Sequence, residues 1–232
     1  MSRSYRGRNN YCGHNDSAYT VRLKERRRKR KPHIDEEINR DSTSCLVEHC
    51  MKEFDVFVLG EGDDLTYYFQ LPDEIGWFSI ISGAPIYANT NDMKLFKSLK
   101  KTYIFGDTIR SIYVMPKYRG MGYQSEIIKT VKKCVNRCGS FAMAFCDPFE
   151  LPNEDKITTL LEAMELFHGE HQQPLDYETQ LEKQIARFER EHFRNIDWSY
   201  HAGHTDIRQQ YIYVSPHIPQ DDWKVIESLL VA

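Results

Sequence analysis

Long apolar runs are missing from this sequence of 232 residues, and none approaches the roughly 18 consecutive apolar residues that a membrane span requires. The first residues, MSRSYRGRNNYCGHND, have no apolar stretch behind their basic side chains, so a secretory signal is not expected. Six cysteines are too few for a disulfide-dense scaffold in a chain of this length. These absences favour a soluble protein in a reducing compartment, and we expect a cytoplasmic location with no membrane partner.

The apolar and aromatic content is nevertheless high enough for a globular core. Apolar residues make up 41% of the chain and aromatic residues 12%, which excludes disorder of the whole chain. The length corresponds to one large domain or to one domain with appendages.

Charge is divided unevenly along the chain, although the net charge is only −3. Residues 1–42 contain 12 Lys and Arg against 6 Asp and Glu, whereas the rest contains 19 against 28. Eight of the ten residues from Arg22 to Lys31 are basic, and like charges with almost no apolar anchor predict a disordered arm over residues 1–42. The arm is interpreted as a solubilising segment, a nuclear localisation signal, or a patch that binds nucleic acid or another polyanion.

The remainder, residues 43–232, alternates between patterns typical of strands and of helices. Runs of β-prone residues occur at 54–59, 66–71, 77–81, 109–115, 141–145 and 210–214. Apolar residues at helical spacing predict amphipathic helices, and one of these carries Ile127, Ile128 and Val131 and ends at Gly139. The order of these patterns indicates a single domain of α/β class.

The segment from Ile112 to Ile128 is the most informative part of the chain. A β-prone run ends at Pro116, a short loop contains Arg119, Gly120 and Gly122, and an amphipathic helix follows at once. Small residues let backbone amides face an anion without a Cβ in the way, and a helix N-terminus adds unpaired N–H groups. The pattern therefore predicts a cradle for a phosphate or pyrophosphate.

This segment resembles the acyl-CoA-binding core of the GNAT superfamily of N-acyltransferases, which has Arg/Gln-x-x-Gly-x-Gly/Ala between its fourth strand and the next helix. The pattern falls on Arg119-Gly120-Met121-Gly122-Tyr123-Gln124, and Gln124 stands where Gly or Ala is usual. The resemblance implies a mixed, mostly antiparallel sheet flanked by helices. It also implies that amides of Arg119 to Gln124 hold the pyrophosphate, and that the pantetheine amides pair with the backbone of Ile112, Tyr113 and Val114.

A second, looser match lies further along the chain. Members of that family often have Ala-x-x-Tyr-x-x-x-Gly-Phe on the helix after the fifth strand, and Ala186 to Phe193 has this shape within one residue. Phe188 replaces the tyrosine, which in many relatives protonates the departing thiolate, and His192 replaces the glycine. The general acid is therefore unassigned, with Tyr177 as one candidate. A helical segment at about 147–179 is an insertion relative to the family pattern.

The resemblance implies acyl transfer from acetyl-CoA, or another acyl-CoA, to a primary amine on an acceptor that the sequence does not identify. Asp147 lies just past the apolar run Phe141–Phe145, and it would either orient the amine or begin a turn before Pro148. The alternative is a non-catalytic binding protein that retains the fold and contacts nucleic acid or a protein partner.

Neither metal nor hydrolase chemistry is expected. Cys45 with Cys50, and Cys134 with Cys138, lack the tight C-x-x-C spacing of a structural zinc site, and the second pair falls on the apolar face of a helix. We therefore expect buried thiols and no bound metal. No Gly-x-Ser-x-Gly elbow follows a β-prone run, which disfavours a Ser-His-Asp hydrolase.

Overall fold

The computed structural model describes residues 44–59, 66–88, 97–196 and 209–230, all of which belong to one compact unit. The arm predicted over residues 1–42 lies outside the described residues, and so does the polyanion patch predicted at Arg22–Lys31. No helix within the described ranges is both long and apolar enough to cross a lipid bilayer.

Within the described ranges, seven strands form one mixed sheet in the order β1-β2-β3-β4-β5-β7-β6. The strands are β1 (Asp55–Leu59), β2 (Thr66–Gln70), β3 (Gly76–Tyr87), β4 (Tyr103–Val114), β5 (Phe141–Cys146), β6 (Arg194–Ile196) and β7 (Gln209–Val214). All neighbours are antiparallel except β4 and β5, which run parallel. The predicted mixed and mostly antiparallel sheet is confirmed, and the glycine loop follows the fourth strand, as the resemblance implies.

Five α-helices flank the sheet in the part of the chain that the structure describes: α1 (Cys45–Glu53), α2 (Tyr123–Cys138), α3 (Leu160–Glu170), α4 (Tyr177–Arg190) and α5 (Gln220–Glu227). Ser44 caps α1 by accepting a hydrogen bond from the Val47 amide at 3.2 Å. Helix α2 buries an apolar stripe at helical spacing and ends, as predicted, at Gly139, whose φ of 60° is left-handed. Helix α1 packs against α2 and against β1 and β2.

Two apolar clusters hold α3 and α5 on the sheet. Trp77 is fully buried beneath α3, where its ring stacks on Tyr113 at 5.5 Å and meets the Phe167 ring at 5.2 Å. The second cluster lies on the strands from β3 to β7 and is completed by Val225 and Ile226 of α5 and by Leu229 just beyond that helix. Each large apolar side chain buried in this way contributes about 1.5–3 kcal/mol. Helix α3 lies in the segment predicted as an insertion, and this packing makes it part of the core.

The cysteines among the described residues differ in exposure. Cys50, Cys134 and Cys146 are buried, Cys138 is half-buried and Cys45 is exposed. The expectation of buried thiols is confirmed for Cys50 and Cys134, is only partly met by Cys138 and is wrong for Cys45. The physical reason is position, because Cys45 begins α1 and Cys138 ends α2, so neither lies in the centre of the packed helix pair.

Strand β4 pairs with β5 over only three residues, Asp107 to Ile109, which face Ala142 to Ala144. The register between β3 and β4 shifts at the same point. Ser79 faces Ser111 and Ile80 faces Ile109, which leaves Arg110 as an extra residue in β4. A bulge of this kind bends and twists its strand, so the last part of β4 diverges from β5.

Candidate functional site

The divergence of β4 from β5 opens a cleft between the two strands. Its walls come from the last part of β4, the first turns of α2, the end of β5 and the C-terminal half of α4. The cleft itself is narrow, with about 20 Å³ for the centres of water-sized molecules, and the space between the atoms reaches about 380 Å³ only when the part that opens to solvent is included. Arg110 and Arg187 line the cleft together with one acidic residue, Asp147. This charge favours an anionic ligand.

The edge of β4 along the cleft offers backbone groups that no neighbouring strand uses. The Met115 amide donates to the Ile75 carbonyl of the β3 side at 2.9 Å. Because backbone groups alternate sides along a strand, those of Tyr113 also point toward β3, whereas those of Ile112 and Val114 point into the cleft. The Val114 carbonyl accepts a hydrogen bond from Arg119 Nε at 3.1 Å, which leaves Ile112 as the open position.

The glycine loop presents a row of free backbone donors at the start of α2. Gly120 and Gly122 have φ values of 80° and 89°, which side chains with a Cβ rarely adopt, and a Cβ built on either meets no atom within 4 Å. The described residues supply no hydrogen-bond acceptor to the five amides from Gly120 to Gln124. Five amides around an open space at a helix N-terminus fit a phosphate or pyrophosphate.

Arg119 does not direct its side chain into this space. Its guanidinium pairs with Glu154 in the predicted insertion and lies 5.8 Å from the centre of the Tyr113 ring. Its amide already donates to the Pro116 carbonyl at 3.2 Å. Of the six positions of the motif, Arg119 therefore shapes the loop, and the next five are available to an anion.

The other motif side chains are divided between solvent and cleft. Met121 is 64% exposed, and the Tyr123 ring contacts the Tyr118 ring edge-on at 6.1 Å. Gln124 is half-buried and lines the cleft. Gln124 therefore contributes to the cleft between the strands.

Asp147 and Tyr177 are brought together at the end of the cleft beyond β5. The Tyr177 hydroxyl donates to Asp147 Oδ1 at 3.3 Å, and Asp147 lines the cleft. Tyr177 is the first residue of α4 and comes 30 positions after Asp147 in the chain. The loop before α4 brings its hydroxyl back to the Asp147 carboxylate. The two side chains named separately by the sequence thus form one hydrogen-bonded pair.

Helix α4 contributes three side chains to the opposite wall, of which the sequence singled out only Phe188. Phe188 is buried and carries no hydroxyl. Burial, followed by the charge of Arg190, lowers the pKa of the neighbouring Arg187. The Oε1 atom of Gln184 is buried and finds no donor among the described residues, so a ligand N–H in the cleft would satisfy it. The i, i+3 and i+4 spacing of these residues was the available signal.

The turn that ends α4 closes on a left-handed residue. His192 has a φ of 64°, and the Phe193 amide donates to the Phe188 carbonyl at 3.0 Å. Glycine is the residue that this conformation favours. The correspondence of Phe188 and His192 to the family's tyrosine and glycine stays a prediction.

Comparisons with known proteins give little beyond this geometry. No protein-family model matches the chain, and no curated protein is significantly similar to it. Among solved structures, a crystal structure of a mutant of KacT aligns over 73% of this chain and 76% of its own. The two share 10% identity with a TM-score of 0.29. A likeness this weak carries no argument about fold or activity.

Proposed function

We propose that this protein is an acyl-CoA-dependent N-acyltransferase that transfers an acyl group, in the first instance acetyl, to a primary amine. One observation supports the proposal above the others. Ile112 on the open edge of β4 and Gln124, the last of the five free amides at the start of α2, line the same cleft, so a single extended ligand with amide groups and a pyrophosphate would reach from the strand edge to the loop. Acyl-CoA has that chemical structure and supplies the activated thioester.

Different groups of the chain would bind different parts of acyl-CoA. The amides from Gly120 to Gln124 would hold the pyrophosphate, and the backbone of Ile112 would pair with the pantetheine amides. The Gln184 amide oxygen would accept a further ligand N–H. These contacts position the thioester carbon in the cleft, and positioning is the main source of rate in a direct transfer.

Asp147 is the residue that we assign to the amine. Its carboxylate would orient the attacking nitrogen and accept its proton, while Tyr177 holds the carboxylate in place through their hydrogen bond. The nitrogen–carbon bond forms as the carbon–sulfur bond breaks, and the electron pair leaves on the sulfur. A thiolate is a fair leaving group because an ordinary thiol has a pKa of about 8.5.

Thermal melting with acetyl-CoA tests the binding part of the proposal. A ligand at about 100 times its Kd stabilises by about 2.7 kcal/mol, which for a domain of this size raises Tm by about 5–10 °C. Gly122→Glu places a carboxylate among the phosphates and should abolish the shift. Gly83→Glu is the matched control, because Gly83 also has a positive φ of 74° with open space around its Cα but lies in β3. No shift in the unmodified protein at millimolar acetyl-CoA would contradict the proposal.

A second candidate function is supported by Phe188. A phenyl ring in the cleft wall cannot donate a proton, which favours a binding protein that retains the fold without catalysis. Phe188→Tyr restores the hydroxyl at little steric cost. Because a general acid typically contributes about 10²–10⁴-fold, a marked gain in turnover over a panel of primary amines would indicate an impaired enzyme. Absence of turnover in both forms, with acetyl-CoA bound, would favour the binding protein.

The acceptor, the cytoplasmic location and the polyanion binding of Arg22–Lys31 stay predictions. Removal of residues 1–42 should leave the acetyl-CoA-induced melting shift intact, and it should weaken binding to nucleic acid in a salt-dependent manner. A truncated chain that fails to fold would show that the arm belongs to the domain.

A further inference from the structure

A cluster of metal-ligating side chains lies where the start of α1 meets the end of α2. The ligand atoms of Cys45, His49 and Cys138 all lie within 4.8 Å of one another. The Cys45 thiol is 2.6 Å from Cys138 Sγ, although the two residues are 93 positions apart in the chain. Cys45 is exposed, and His49 and Cys138 are half-buried, so the cluster is open to solvent.

Helical geometry explains why these side chains converge. Cys45 and His49 are four positions apart on α1, and this spacing places both on one face of the helix. The packing of α1 on α2 brings Cys138, the last residue of α2, against that face. The sequence contained this signal as Cys-x-x-x-His on a helix, but the C-x-x-C rule does not detect it.

The donor set has a definite chemical preference. Two thiols and one imidazole are soft and borderline ligands, which select Zn²⁺ over Mg²⁺ or Ca²⁺. Bonds of about 2.3 Å to sulfur and about 2.0–2.1 Å to nitrogen can be made from one point by atoms this close together after small side-chain movements. Three protein ligands leave a fourth tetrahedral position for water or an external donor.

We propose that Cys45, His49 and Cys138 bind one Zn²⁺ ion that ties the start of α1 to the end of α2. Cys50 and Cys134 form a separate hydrogen-bonded pair of buried thiols beside the cluster. Arg137, the residue before Cys138, forms an ion pair with Glu53 at 2.9 Å.

This ion would act independently of the proposed acyl transfer. Helix α2 has 16 residues, so its two ends are about 24 Å apart. The glycine loop lies at one end and the cysteine cluster at the other. A substitution that abolishes acyl transfer therefore leaves metal binding measurable, and a substitution that abolishes metal binding leaves acyl transfer measurable.

The test uses the full chain, reduced with a phosphine, stripped with a chelator and desalted. Co²⁺ is the spectroscopic probe, because thiolate ligation gives a near-ultraviolet charge-transfer band and tetrahedral geometry gives visible bands. We expect saturation at one Co²⁺ per chain, displacement of the bands by Zn²⁺, and a rise in Tm with Zn²⁺. Cys45→Ser, His49→Ala and Cys138→Ser should each weaken binding by more than about 100-fold, since even outer-shell changes cost about 10–100-fold.

Cys146→Ala is the matched control, because it also removes one cysteine but lies in β5, away from the helix pair. It should retain the bands and the stoichiometry. The proposal is overturned if the reduced protein gives no charge-transfer band, or if the band survives in Cys45→Ser and His49→Ala. A metal-free chain in which Cys45 and Cys138 form a disulfide, and which binds no Co²⁺ after reduction, overturns it as well. Melting of each metal-free variant shows that it is folded.

Discussion

The two ends of helix α2 use opposite chemistry. At its start, Gly120 and Gly122 remove side chains and leave five backbone N–H groups facing open space. At its end, Cys138 adds a side chain to two others from α1, and the backbone is closed by Gly139. The helix dipole is positive at the first end and negative at the second. The first end therefore suits an anion, and the second suits a cation.

This difference determines how each end responds to substitution. The loop depends on the absence of side chains, so almost any addition at Gly122 blocks it. The cysteine cluster depends on the identity of three side chains, so only their own replacement removes its ligands. A rigid helix of about 24 Å separates the two, which makes the responses independent.

The largest expected effect is on turnover, without a change in ligand binding at either end of α2. Asp147→Asn removes the carboxylate that faces the amine, and we expect turnover to fall by about 10²–10⁴-fold. The melting shift with acetyl-CoA and the stoichiometry of Co²⁺ should not change. Asp155→Asn, at an exposed acidic residue outside the cleft, is the control. Equal turnover in the two variants would remove Asp147 from the mechanism.

A substitution in the middle of α2 should affect both ends. Ile127 is 1% exposed, and Ile127→Ala should lower the free energy of unfolding by about 2–5 kcal/mol because it deletes packed atoms and leaves a cavity. Denaturant unfolding measures the change. Met121→Ala, at a side chain that is 64% exposed, should stay within about 0.5 kcal/mol. A small loss for Ile127→Ala would mean that the helix does not anchor the two ends.

The smallest expected effect compares the ends of α2 and α4, each of which closes on a left-handed residue. His192→Gly should raise the free energy of unfolding by about 1 kcal/mol, because a Cβ at a φ of 64° costs about that much. Gly139→Ala should lower it by a similar amount, since the new Cβ also meets the His217 carbonyl at 3.3 Å. Thermal melting of both variants measures the two changes in stability. A loss of stability in His192→Gly would show that the His192 side chain outweighs its backbone strain.

Local features of the site could be predicted from the sequence. The glycine loop, the amphipathic helix after it and the stop at Gly139 depend on neighbouring residues, and their geometry follows from backbone sterics and helical periodicity. The class of the fold followed from the order of strand and helix patterns. The left-handed turn at His192 was less apparent, because histidine gives no backbone signal of its own.

What the sequence by itself determined about this protein is therefore the content of its elements and the glycine loop at the start of one helix. Only the tertiary structure decided that β4 leaves β5 after Ile109, that Tyr177 meets Asp147, and that Cys45 meets Cys138. These contacts join residues far apart along the chain, and they depend on a bulge and on how helices pack. Local propensity does not encode such contacts, because they arise only when the whole sheet and its helices are assembled.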